Sequence, residues 1–194
     1  MRAHLIVFAK RPRQGRVKSR LARDIGTVAA WRFYRGQLFG LLRRLRDPRW
    51  RGWLALSPDS AVGDPGWPAG WRRVGQGQGD LGRRMIAAIA ALPPGPVILV
   101  GSDIPGIDRG AIAHAFRLLQ RHETVLGPSE DGGYWLIGFR RSQRLPDLTG
   151  VRWSTPHALA DTAALLEAQL GDVGYAAMLA DIDTGADLAR LRRG

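Results

Sequence analysis

Cysteine is absent from this chain, and lysine nearly so. Without a thiol there are no disulfides, no thiolate metal sites and no cysteine nucleophile, a pattern that fits a reducing compartment. Long apolar runs are missing as well. The first one, Leu5 to Ala9, is closed by Lys10-Arg11 and is too short for a signal-peptide core or a membrane span. The expectation is a soluble, cytoplasmic protein with no membrane span. Acidic residues are also scarce, 17 Asp plus Glu against 29 Lys plus Arg, for a net charge of +12. A basic surface attracts phosphate at long range, so a noncatalytic nucleic-acid-binding module is the competing reading from another class. No basic low-complexity tail is present, the arginines are spread along the whole chain, and the tryptophans form no interleaved stacking motif. That distribution argues against a specific nucleic-acid partner. A small anionic substrate needs only a positive cleft.

The two lysines are Lys10 and Lys18, both in the stretch that follows the first apolar run. Elsewhere arginine has taken every basic position. Lysine differs in offering a compact point charge on a flexible stem, which suits a phosphate whose geometry changes during reaction. The stretch Lys10 to Leu21 therefore reads as a phosphate-binding loop, with Gly15 and Arg20 in it, and alternatively as a basic surface loop. It is not a Walker A motif, because Gly15 has no partner glycine five residues before it and no glycine directly precedes Lys18.

Apolar runs alternate with helical patterns along the 194 residues, 45% of them hydrophobic, as expected of a single domain over 1–194 with a full core. Strands are expected at Leu5 to Ala9, Trp53 to Leu56, Val97 to Val100, Thr124 to Leu126, Tyr134 to Phe139 and Met178 to Ile182. Trp31, Tyr34, Leu38, Leu41, Leu42 and Leu45 recur at helical steps after Thr27, which marks a core-facing helix whose aromatics are read as packing. Further helices are expected from Leu81, Met85, Ile86 and Ile89, from Ile112, Ala115, Phe116 and Leu119 after Asp108, and from Leu159, Ala163, Leu166 and Leu170 after Thr155-Pro156, the last with a cap and a first-turn proline. This alternation predicts an α/β sandwich with a mostly parallel central sheet. The gap between Leu126 and Tyr134 leaves no room for a crossover helix, so one of those strands is expected to run antiparallel. Pro58 to Gly75 is read as a surface excursion.

Ligands of open α/β sheets bind at the carboxyl ends of the strands, so the strand exits carry the functional reading. Gln76 to Gly82 contains a literal G-x-G-x-x-G at Gly77, Gly79 and Gly82, with Asp103 about 20 residues further on, as in a dinucleotide-binding fingerprint. Only Trp71 to Val74, half of it arginine, precedes it, so a dinucleotide enzyme is a minor alternative. Asp103 leaves the Val97 to Val100 run and can hold a hard divalent cation, Mg²⁺ or Mn²⁺, or serve as a turn or cap residue. Gly127 to Trp135 is an acidic, glycine-rich connection around Asp131, longer than a plain Asp-Gly hairpin turn requires. Asp181 and Asp183 alternate near the end, where Asp183 can share the cation with Asp103 or cap a last helix with Thr184.

Several ordered segments resemble one family. These are Phe8-Ala9-Lys10 with Pro12, Gly15, Lys18 and Arg20-Leu21-Ala22, then Gln76 with Gly79-Asp80-Leu81-Gly82 and Arg84-Met85. They continue as Gly101-Ser102-Asp103 with Pro105, Leu126-Gly127-Pro128, Asp131-Gly132-Gly133-Tyr134 with Gly138, Trp153-Ser154, and Asp181-Ile182-Asp183-Thr184. Over nearly the whole chain they resemble bacterial nucleotide-diphospho-sugar transferases of the radical-SAM/selenodomain-associated type. Val17 to Ala22 is also similar to the corresponding loop of 2-phospholactate guanylyltransferases. Glu130, before Asp131, departs from the small or polar residue of that pattern.

The resemblance implies a glycosyltransferase A-type fold, a three-layer sandwich with a mixed, mostly parallel sheet, and one nucleotide-diphospho-sugar transferase-like domain. It implies a nucleotide-activated donor, a small-molecule acceptor and Mg²⁺ or Mn²⁺. Lys10, Gly15, Lys18 and Arg20 are then expected on the donor phosphates, and Gln76, Gly79, Asp80 and Leu81 against base and ribose. Asp103 and Asp183 are expected on the metal, Asp131, Gly132, Gly133, Tyr134 and Trp153 on the acceptor, with Lys18 and Asp131 as catalytic groups. Glycosyl transfer is the first reading and nucleotidyl transfer to a small phosphorylated substrate the alternative.

Overall fold

The computed structural model describes residues 1–180 and 184–191. Its strands are β1 (Ala3–Lys10), β2 (Trp50–Ser57), β3 (Arg72–Gly75), β4 (Val97–Gly101), β5 (Thr124–Pro128), β6 (Tyr134–Phe139) and β7 (Val173–Tyr175). The helices are α1 (Ser19–Ile25), α2 (Thr27–Arg44), α3 (Leu81–Ala90), α4 (Arg109–Leu118), α5 (Ala158–Leu170) and α6 (Gly185–Leu191). The strands form one sheet in the order β3-β2-β1-β4-β6-β5-β7. β6 is antiparallel to both its neighbours, β4 and β5, and the other pairings are parallel. The mixed, mostly parallel α/β sandwich is thus the observed architecture, and the short β5–β6 connection is where direction reverses.

Strand β1 runs through the middle of the sheet, and the alternation of its side chains divides the core. Leu5 and Val7 join Leu38, Leu41 and Leu42 of α2 and Ile112 of α4 on one face. Ile6 joins Met85 and Ile89 of α3 and Leu166 of α5 on the other. A small third cluster, Leu21, Ala30 and Leu188, ties α1, α2 and α6 together beside the sheet.

The expected strand at Met178 to Ile182 is not formed among the described residues. Val173 to Tyr175 supplies the edge strand β7 instead, and Leu179 makes only an isolated bridge to Ser129. Val173 and Gly174 are buried where Tyr175 and Met178 are exposed, so the edge pairing ends before the second apolar stretch. The region from Pro58 to Gly75 is less of an excursion than expected. Ala61 and Trp71 are buried in it, and β3 closes it as an edge strand paired to β2. Helix α5 begins at Ala158, two residues later than a cap at Thr155 implies, although the Thr155 hydroxyl accepts from His157 N at 3.2 Å and donates to Arg152 O at 2.7 Å. Asp80 and Asp108 cap α3 and α4, each accepting at 2.8 Å from the backbone N–H three residues on.

Candidate active site

The carboxyl ends of β1, β3 and β4 and the amino end of antiparallel β6 lie at one edge of the sheet, and a cleft of about 510 Å³ opens there. Lys18 is placed in it by backbone conformation. It precedes α1 with φ 50° and ψ 51°, a left-handed conformation that costs a residue with a Cβ roughly 1–2 kcal/mol. The side chain is 5% exposed, and Nζ lies 3.2 Å from Asp103 Oδ2 at the exit of β4. A second non-glycine residue with positive φ, Ser154 at 60°, lines the same cleft. Strain of this kind persists where surrounding packing enforces it and gathers at functional sites.

Helix α2 holds both loops that carry this pair. The Tyr34 phenol donates to Lys10 O at 2.9 Å, accepts from Lys10 N at 3.0 Å and lies 3.3 Å from Ser102 Oγ. Burial, and secondarily the Asp103 carboxylate, push the Tyr34 phenol well above its ordinary value, so it stays a neutral hydroxyl. Trp31 donates to Pro12 O at 3.1 Å, and Arg44 donates to Pro105 O and Ile107 O at 2.9 and 2.8 Å. The α2 aromatics read as packing, together with Arg44, thus also fix the β1 and β4 exits.

Gln76 is buried, and its amide bridges the strand ends. Nε2 donates to Ala9 O and Ala55 O at 3.1 and 2.9 Å, while Oε1 accepts from Arg84. Asp59 supports the turn from below by accepting from Gln76 N and Gly77 N at 2.9 and 3.1 Å. Held this way, the Arg84 guanidinium lies 5.5 Å over the Phe8 ring and lines the cleft. Arg84 stood in the family pattern but without a role. Its position one helical turn into α3, beside the glycine loop, was the available signal.

The acidic turn lines the same cleft as Lys18. Asp131 Oδ1 accepts from Gly133 N at 2.9 Å. Gly132, with φ 81°, packs so tightly on Pro156 that a Cβ would sit 2.3 Å from its carbonyl oxygen. Tyr134 meets Trp153 edge-on with ring centroids 6.5 Å apart, and burial pushes its phenol above the ordinary value. Trp153 rests on the start of α3, where a Cβ on Gly82 would lie 2.6 Å from its ring. The third glycine of the G-x-G-x-x-G string therefore admits an indole, and the strand before it is a half-exposed edge strand.

Of the expected site residues, Lys10, Lys18, Gln76, Leu81, Asp103, Asp131, Gly133, Tyr134 and Trp153 line this cleft. Gly15, Arg20, Gly79, Asp80 and Gly132 do not. Gly15 lies in an exposed turn, Asp80 is occupied as the cap of α3, and Gly132 is covered by Pro156. Asp183 lies outside the described residues, as does Asp181. Among the described residues no three His, Asp or Glu gather as a metal cluster. Mg²⁺ commonly needs only one or two carboxylates when substrate phosphates complete its shell. The half-exposed Asp103 carboxylate, bonded by Ser102 Oγ at 3.4 Å and facing a cleft that Asp131 also lines, offers hard oxygen donors of that kind.

The fold is that of a nucleotide-diphospho-sugar transferase-like α/β protein. The chain belongs to the family described as uncharacterized protein conserved in bacteria (DUF2064), whose match spans residues 41–155. A crystal structure from Desulfovibrio desulfuricans, provisionally named a nucleotide-diphospho-sugar transferase, is 29% identical, with a TM-score of 0.86 over 100% of this chain and 87% of that one. A 4-diphosphocytidyl-2C-methyl-D-erythritol synthase from Anaerococcus prevotii shares the fold at 12% identity and a TM-score of 0.64, covering 99% of this chain and 96% of that one. So does the manganese complex of Rv0371c from Mycobacterium tuberculosis, at 20% identity and a TM-score of 0.57, covering 100% and 98%. No functionally curated protein matches the chain. Among the described residues no helix is long and apolar enough to cross a membrane.

Proposed function

We propose that this protein is a metal-dependent transferase that takes a nucleotide-activated donor, and that it moves a glycosyl group from a nucleotide sugar to a small acceptor. The observation that carries the reading is the Lys18–Asp103 pair, a buried cation against a half-exposed carboxylate, at the strand ends of a fold shared with a nucleotide-diphospho-sugar transferase. Lys18 and Arg84, which line the cleft, neutralise the donor diphosphate. Bound through Asp103, with Asp183 as the second ligand in this reading, Mg²⁺ or Mn²⁺ supplies further charge compensation for the departing nucleoside diphosphate. Arg84 is pre-aimed by Gln76, so its charge costs little reorganisation when phosphate arrives.

On the other wall, Asp131 orients the acceptor hydroxyl and takes its proton as the new glycosidic bond forms and the sugar–phosphate bond breaks. Tyr134 and Trp153 give the acceptor a partly apolar wall. The second reading, nucleotidyl transfer with pyrophosphate leaving, rests on the similarity of Val17 to Ala22 to the loop of 2-phospholactate guanylyltransferases.

A thermal-shift panel of nucleoside triphosphates and nucleotide sugars, each with and without Mn²⁺, separates the readings. Glycosyl transfer predicts the largest metal-dependent stabilisation from a nucleotide sugar, and nucleotidyl transfer from a triphosphate. Stabilisation only by mixed DNA or RNA, lost with added salt, would return the protein to the nucleic-acid-binding class.

A further inference from the structure

The cleft uses only one end of the sheet. At the other, where β1, β2 and β3 begin, a separate open pocket of about 410 Å³ is lined by Arg2, Arg46, Arg51, Arg72, Asp47 and Trp71. With about 3.3 Å of rise per residue, the eight residues of β1 put roughly 23 Å between the two openings.

The charge in this pocket is one-sided. Its single acid, Asp47, is already held by Arg49, whose Nε and Nη2 each donate to it at 2.8 Å and whose backbone N donates at 3.0 Å. None of Arg2, Arg46, Arg51 and Arg72 forms a salt bridge among the described residues. The arrangement is built in detail. Gly70, with φ 85°, brings bare backbone against Arg46, whose Nη2 would stand 2.9 Å from a Cβ there. Arg72 is steadied 5.5 Å over the Trp53 ring. The indole N–H groups of Trp50 and Trp71 are spent on Leu45 O and Leu42 O, so the floor is buried, apolar and free of competing donors. The field of these arginines reaches buried His4, whose protonated form is disfavoured first by burial and then by Arg51, Arg2 and Arg72.

Four arginines line one pocket whose single acid is already taken by Arg49, and a multivalent anion bound there would offset their mutual repulsion. A single carboxylate satisfies one fork, whereas a diphosphate presents enough oxygens for several at once. The pocket is concave and of small-molecule size, unlike the extended stripe that tracks a nucleic-acid backbone. We propose that this pocket is a second binding site, separate from the cleft, for the diphosphate group of a small phosphorylated molecule.

The test is an amide NMR titration of the full chain with inorganic pyrophosphate at low ionic strength, following Gly52 and Gly70 at this pocket and Gly101 at the cleft. The expected result is a saturable shift of Gly52 and Gly70 whose midpoint rises about tenfold or more in the Arg46→Gln, Arg51→Gln double variant, while the Gly101 response is unchanged. A nucleoside triphosphate and sulfate form the other arms. Tighter binding of the triphosphate identifies a nucleotide as the source of the diphosphate, and equal binding identifies free pyrophosphate. The proposal is overturned if Gly52 and Gly70 do not move in the parent protein at millimolar pyrophosphate, if sulfate binds as tightly, or if the double variant keeps the parent midpoint. Each of these outcomes is independent of what the cleft binds.

Discussion

Lys18 concentrates the account in one side chain. It is one of two lysines in an arginine-rich chain, held in a left-handed conformation, with a buried ammonium against Asp103. Lys18→Arg should lower turnover although it keeps the charge, because the planar guanidinium is larger and its fork cannot rotate to follow a phosphate into the transition state. Lys18→Ala should weaken donor binding by about 1.5–3 kcal/mol, the range for a hydrogen bond to a charged group. Lys10→Arg, at an exposed strand end, should tolerate the change. Donor affinity and turnover measured side by side decide this, and a Lys18→Arg protein equal to its parent in both would remove Lys18 from the phosphate site. Asp131→Ala should depress turnover far more than donor affinity. Weaker donor binding with full turnover at saturation contradicts its place on the acceptor wall.

The elements that position these groups are α2 and the start of α3. Gly82→Ala puts a methyl 2.6 Å from the Trp153 ring and 3.0 Å from Leu148, neither of which is a free chain end. Overpacking of this kind should cost about 1–3 kcal/mol and displace Trp153, raising the KM for acceptor more than for donor. Thermal melts and separate KM values check both halves, and an unshifted melting temperature would mean that the α3–Trp153 contact is loose. The elements most legible in the sequence are those buried on a periodic face, such as α2, where Leu38, Leu41 and Leu42 are fully buried, and β4, whose first four residues are buried. β3 escaped as a strand because an edge strand needs no apolar face, and Arg72 and Arg73 are exposed on it. α1 escaped because its seven residues bury only Leu21. The apolar Met178 to Ile182 stretch misled because Met178 faces solvent. Strand exits pointed to Lys18, Asp103 and Asp131. No local spacing could pair Lys18 with Asp103, or show that Gln76 spends its amide on two strands to aim Arg84.

At the scale of the whole molecule, an excess of arginine surrounds a few groups whose protonation governs stability. His4 is 1% exposed and accepts from Trp53 Nε1 at 3.1 Å through Nδ1, which requires the neutral ring. Burial and neighbouring arginines lower its pKa from the ordinary 6.5, so the unfolded chain binds this proton more readily than the folded one. The stability His4 contributes is therefore complete above pH 6.5 and declines as the pH falls below it. Asp47, held down to about 2 chiefly by its hydrogen bonds from Arg49, adds a second loss between the ordinary carboxylate range and that value. NMR of the imidazole should give a titration midpoint for His4 below 6.5, and a midpoint at or above 6.5 would contradict the burial argument.

The central claim is that a nucleotide-activated donor and a divalent cation meet at the Asp103 end of the sheet. Calorimetric titration of the most stabilising donor, with and without Mn²⁺, into the parent protein and Asp103→Asn tests it most directly. The substitution keeps the shape of the side chain and removes the charge that a hard cation needs. Metal-dependent donor binding is predicted in the parent and its loss in Asp103→Asn, with the circular dichroism of the two proteins alike. Equal metal-dependent affinity in both would contradict the account.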